Sequence, residues 1–166
     1  MPMKRHLLSA LCVTVAVLLQ VPAGAREVTA FDSIVDFSVT LRELAGIAAE
    51  REPGSVTDGP LIIVDGYIAS VVVSDDTEGS FSADIELVDG EWLDLDEVRA
   101  YRAIAVAEGE RFRERIPRRP PPSPPRDSIV AGRHGIAVAL LVDIREDEAR
   151  GGRIPVLEIV HFRVGS

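Results

Sequence analysis

The 166-residue chain carries 27 Asp and Glu against 18 Lys and Arg, a formal charge of -9, and is 46% hydrophobic but only 5% aromatic. So acidic a surface repels phosphate backbones over a Debye length of about 8–10 Å, which argues against nucleic acid as a partner. The single cysteine, Cys12, rules out an intrachain disulfide, so a hydrophobic core has to hold the fold.

The chain opens with Lys4, Arg5 and His6, an apolar run from Leu7 to Leu19, and Ala23-Gly24-Ala25. That is the form of a secretory signal with a small-x-small cleavage site. The run is too short to span a bilayer as a helix, which takes roughly twenty residues. Residues 1–25 are therefore expected to be a signal peptide cleaved after Ala25, giving an extracytoplasmic product, periplasmic or secreted, with no stable membrane anchor. Leu11, preceding Cys12, is too large for a lipidation site. Cleavage removes Lys4, Arg5, Cys12 and no acid, so the mature part is more acidic still, its cations are all Arg, and thiolate chemistry is excluded.

Residues 26–58 are expected to form an N-terminal helix and linker. From Thr29 to Glu50 the apolar residues Ile34, Phe37, Leu41, Leu44 and Ala48 recur at offsets of three and four, one stripe of a helix. Ser33 with Asp36, or Thr29 with Asp32, has capping-box spacing, and Pro53-Gly54 ends the segment. The stripe is expected to pack on the domain; the alternative is an exposed, partner-binding helix.

Residues 59–166 change to period two. Leu61 to Val73 is β-branched on both faces and interrupted at Asp65-Gly66, as in a long strand bent at a glycine and shared between two halves of a closed sheet. Phe81 to Val88 alternates, with Phe81, Ala83, Ile85 and Leu87 on one face and Ser82, Asp84 and Glu86 on the other. Asp89-Gly90 reads as a turn. Three further strands are expected at Tyr101–Glu108, at Ile136–Ile144 with Ile136, Val138, Leu140, Val142 and Ile144 on one side, and at Ile154–Val164. On that last strand Val156, Val160, Phe162 and Val164 alternate with Leu157, Ile159 and His161. Between the third and fourth strands, 111–128 holds six Arg and six Pro. Proline cannot donate to a ladder, so this is expected to be a flexible loop or arm. Its stretch Arg119 to Arg126 has the form read by SH3-type grooves, but a spacer, or an arm docking an anionic surface or the protein's own acids, is the simpler expectation.

This order of elements, with Val64-Asp65-Gly66-Tyr67-Ile68, Asp75-Asp76, Ala83 to Leu87, Gly90-Glu91-Trp92 and Gly135 to Val142, resembles the OB-fold, and more loosely the small exported bacterial OB-fold proteins. The expected fold is mainly β: a five-stranded OB-like barrel preceded by one amphipathic helix. The Arg/Pro segment replaces the helix usual between strands three and four. The resemblance implies a ligand surface on the outer face of strands two and three, flanked by the loops joining strands one to two and four to five.

On that surface the candidate ligand-binding residues are Asp84, Glu86, Trp92 and Arg102. The flanking loops are acidic, with Asp75, Asp76 and Glu78 in one and Glu146, Asp147 and Glu148 in the other. Asp75, Asp76 and Glu78 are a weak alternative cation site, since they lack EF-hand spacing; a solvated turn is the main expectation. Trp92 is expected to cap the end of the barrel core, with a ligand platform as the alternative. His134 reads as a turn residue and His161 as a strand residue. No nucleophile–base motif is present and no cofactor is expected. The preferred expectation is a non-enzymatic binding or assembly module of the cell envelope with a protein or glycan partner. The alternatives are a carboxylate-based hydrolase of envelope glycans and a cation-stabilised module.

Overall fold

The structure is a computed structural model and describes residues 34–56, 59–148 and 150–165. Residues 1–25, expected to be a signal peptide, and the expected cap positions Thr29, Asp32 and Ser33 lie outside the described residues.

Closure of the sheet depends on one strand being long enough to serve two neighbours. After a two-residue β1 (Val35–Asp36) and a helix α1 (Leu41–Glu50), strand β2 (Leu61–Thr77) pairs through its first half with β5 (His134–Glu146), from Ile62 opposite Ala139 to Tyr67 opposite His134. Its second half pairs antiparallel with β3 (Ser80–Asp94), from Tyr67 opposite Val88 to Thr77 opposite Ser80. β3 continues antiparallel to β4 (Glu97–Glu108). β4 meets β6 (Arg153–Val164) in parallel at Ile104 opposite Val156, and β6 returns antiparallel to β5. The result is a closed, mixed, five-stranded OB-like barrel, with β1 added in parallel beside Leu61 and Ile62. Gly66 sits beside the change of partner and leaves room for α1: a Cβ there would lie 2.9 Å from Leu41 Cδ1 and 3.1 Å from the Val88 carbonyl oxygen.

The helix is shorter than the apolar spacing predicts. Its cap is Thr40, whose Oγ1 accepts the Glu43 N–H at 3.3 Å while Glu43 Oε2 accepts the Thr40 N–H at 2.6 Å, a complete capping box with Glu in the strong position. Upstream, Val35 and Asp36 are held by strand pairing to Leu61 and Ile62, and Asp36 Oδ1 accepts both the N–H and the hydroxyl of Ser38. Asp36 therefore stands in a strand and not in the first turn of α1. Ile34 and Phe37 are exposed and leave the stripe, whereas Leu41, Leu44 and Ala48 are buried against the barrel as expected.

Inside the barrel, Phe81, Ala83, Ile85 and Leu87 of β3 point inward as their alternation predicts. β5 is different: Ala137 and Ala139 face the core, so Ile136, Val138 and Leu140 face outward. A register shift between Leu141 and Asp143 then turns Ile144 inside. On β6 a second shift, opposite Val138 and Ala139, leaves Val160 as an extra residue, so Leu157, Ile159 and Phe162 share the interior. A bulge adds one residue and reverses the face of all that follow, which period-two counting does not register. Gly135 is required because Phe162 crosses it: a Cβ there would come within 2.4 Å of Phe162 Cζ.

Two further expectations change. Asp89-Gly90 is no turn; the β3–β4 ladder runs through Gly90 opposite Ala100 to Trp92 opposite Val98, and the chain reverses at residues 95–96. Between β4 and β5 a single helical turn, α2 (Glu110–Arg113), does occupy the usual helix position, anchored by buried Phe112, with Ile116 and Ile129 buried beside it. The Arg/Pro segment has no helix or strand beyond α2. Arg115 donates to the carbonyls of Asp127 and Phe162, and Arg111 to that of Ile159.

Candidate functional site

Strand register decides which candidate residues meet. On the outer face of β3 and β4, Glu86 lies opposite Ile104 and Arg102 opposite Val88, a diagonal pair within side-chain reach. Glu86 Oε1 accepts from Arg102 Nε at 2.6 Å, and Arg102 Nη1 donates onward to Asp147 Oδ2 at 2.5 Å. Ser70 Oγ adds a hydrogen bond to Glu86 Oε2 at 3.1 Å, and Arg150 stands 3.5 Å from Glu86. The three central side chains are only 12–17% exposed. Burial pulls the Arg102 guanidinium toward deprotonation, but the hydrogen bonds it donates to Glu86 and Asp147, with their negative charges, outweigh this and leave it above its ordinary value. Asp147 reaches β4 because Gly151 and Gly152 adopt φ of 76° and 88°, folding the β5–β6 loop back on itself. The sequence marks that loop as acidic; it does not mark Asp147 as the partner of Arg102.

Asp84 lies on the same face, opposite Val72 and Val106, and its side chain makes no hydrogen bond or ion pair among the described residues. Trp92 also lies on this face but six residues along, about 20 Å from Glu86 at roughly 3.3 Å per residue. It is 72% exposed, which overturns its reading as a core cap. The strands outrun the barrel here, and Trp92, Leu93, Leu95 and Val98 stand exposed on a two-stranded ribbon with Asp89, Asp94, Asp96 and Glu97. The base of the ribbon is tied down by Tyr101, whose hydroxyl donates to Glu91 Oε2 at 2.6 Å, and by Arg42 of α1, which pairs with Glu91. The Tyr101 bond is the main reason the Glu91 carboxyl lies below its usual range.

The acidic β2–β3 turn is satisfied internally. Asp75 accepts from Ser80 Oγ at 2.6 Å and from the Thr77 N–H at 3.0 Å, and Asp76 pairs with Arg113 and Arg118. Two cations of the Arg/Pro segment thus dock on the protein's own acids. Among the described residues no three metal-ligating side chains converge.

A cleft of about 870 Å³ lies on the other side of β2, where β2, β5, the end of β6 and the loop before β5 meet. Tyr67, Arg126, Arg133, His134, Ile136 and Arg163 line it. Tyr67 and His134 pack edge to face with ring centroids 5.2 Å apart, and His134 Nε2 stands 3.3 Å from Asp65 Oδ2. Arg133 spends its guanidinium on the carbonyls of Pro124, Pro125, Arg126 and Ser128. Sequence reasoning missed this grouping because its members come from four separate segments. His134 is the first residue of β5, and His161 lies on a strand as expected, exposed rather than packed or half-exposed.

No protein-family model matches this chain, and comparison with curated proteins finds no match.

Proposed function

We propose that this chain is an exported, non-enzymatic binding or assembly module of the cell envelope, an acidic OB-like barrel that holds a partner protein through the β3–β4 ribbon. One observation carries the reading: Trp92 and Leu95, 72% and 90% exposed, stand together on a projecting hairpin. Isolated surface apolar residues are common, but a contiguous set containing Trp resembles the anchor residues of protein interfaces. The surrounding Asp89, Asp94, Asp96 and Glu97 favour a partner whose apolar groove is rimmed by cations. The leader supports export. A carboxylate-based hydrolase is the weaker reading, because its best-placed pair, Glu86 and Asp147, already accepts hydrogen bonds from Arg102.

The test has two arms. A fusion of residues 1–30 to a reporter active only outside the cytoplasm should be active; an inactive fusion removes the export half. A photo-crosslinking residue at position 95 of the full chain, expressed in its host, should give one discrete adduct that Trp92→Asp abolishes and Asp84→Ala does not. An adduct pattern indifferent to Trp92→Asp would refute the role of the ribbon.

A further inference from the structure

We infer that the cleft lined by Tyr67, Arg126, His134 and Arg163 is a separate binding site for a phosphorylated ligand with a ring-shaped or apolar body. Several arginines of this acidic chain are matched to carboxylates: Arg102 to Glu86 and Asp147, Arg113 to Asp76 and Glu110, and Arg153 to Glu52 and Glu146. Arg126 and Arg163 are not. Neither has an ion pair or a side-chain hydrogen bond among the described residues, and both line one cleft. Arg133 adds a third positive charge, and its partners are neutral carbonyls. No carboxylate is among the residues that line the cleft, and Asp65 stands beside His134.

Three guanidinium groups with no carboxylate among the lining residues make the cleft locally cationic, suited to a phosphate monoester, which carries about -1.5 to -2 at neutral pH. Guanidinium forks suit phosphate oxygens because they donate in pairs at fixed geometry. The remainder of the wall is the exposed Tyr67 ring with Ile136 and Val164, a surface for a ring or an alkyl body. The volume falls within the range of small-molecule sites, roughly 300–1,000 Å³, and exceeds that of three other clefts on the described surface, about 270 to 310 Å³. This site shares no residue with the ribbon, so the two can fail independently.

The experiment is calorimetric titration of the full chain with inorganic phosphate, with glucose 6-phosphate, and with phosphatidate vesicles against phosphatidylcholine vesicles. Glucose 6-phosphate binding tighter than inorganic phosphate, and weakened at least about tenfold by Arg126→Gln or Arg163→Gln, supports a soluble phosphorylated ligand. Binding confined to phosphatidate vesicles, with the same sensitivity, supports a lipid headgroup as the source of the phosphate. Both side chains are exposed and unpaired, so the variants should keep the wild-type melting temperature, and Trp92→Ala should leave binding unchanged. No binding in any arm at millimolar concentration, or binding that survives both Arg→Gln changes, overturns the inference.

Discussion

Replacing Gly135 by Ala tests the idea that β5 can be crossed by Phe162 only where a side chain is missing. An alanine Cβ would sit 2.4 Å from Phe162 Cζ and 2.9 Å from Cε1. Phe162 is 1% exposed and belongs to the core cluster, so its ring can yield only by displacing core neighbours. Overpacking of this kind costs about 1–3 kcal/mol. Against it stands the lower chain entropy of Ala in the unfolded state, about 0.4–1 kcal/mol in favour of the variant. The net expectation is a loss of up to about 2.6 kcal/mol, or a fall in melting temperature of up to roughly 10 °C for a domain of this size. In a Phe162→Ala background the obstacle is gone and only the entropic gain remains, so the same Gly135→Ala change should become neutral or stabilising. The cycle should therefore return a coupling of about 1–3 kcal/mol. Urea unfolding followed by far-ultraviolet circular dichroism is the assay of choice, because exposed Trp92 makes a poor fluorescence reporter of the core. Equal cost in both backgrounds would refute the packing argument.

Three other outcomes are expected. Arg102→Ala strands the largely buried carboxylates of Glu86 and Asp147 and should cost about 2–4 kcal/mol in urea unfolding, most of it recovered when Glu86→Gln and Asp147→Asn are added. Thr40→Ala breaks the capping box of α1 and should cost about 1 kcal/mol by the same measurement, whereas Ser38→Ala, outside the helix, should cost less. Asp75 titrates below its ordinary value, first because Ser80 Oγ donates to it and next because the Thr77 N–H does. A carboxyl lowered by folding adds stability above its unfolded value of about 4, and that stability is lost as pH falls through the lower, folded value. Ser80→Ala should therefore raise the Asp75 midpoint in a carbon-detected NMR titration and start acid unfolding at a higher pH; an unmoved midpoint would contradict the assigned cause.

Much of the candidate site could not be read from residue order. Glu86 and Arg102 are 16 residues apart, and only the β3–β4 register makes them diagonal neighbours; Asp147 joins them through a loop 45 residues beyond Arg102. Trp92 was misplaced for a related reason. Asp89-Gly90 has the chemistry of a turn, yet the pairing of the residues on both sides carries the ladder through it, and the extra length puts the tryptophan outside the barrel. The cluster at Tyr67 and His134 depends on β2 meeting β5, a contact made only when the sheet closes.

The sequence alone determined that five strands follow Leu61 with an Arg/Pro-rich connection between the third and fourth, that β2 is long enough to serve two neighbours, that β3 turns Phe81 to Leu87 inward, and that Leu41, Leu44 and Ala48 bury one face of a helix. These follow from local spacing, which expresses the period of the backbone itself. Tertiary structure decided where the helix begins, which face of β5 and β6 is interior, and which charges meet. Strand pairing at Val35, single-residue bulges near Val142 and Val160, and barrel closure set those outcomes, and each is a contact between residues far apart in the chain.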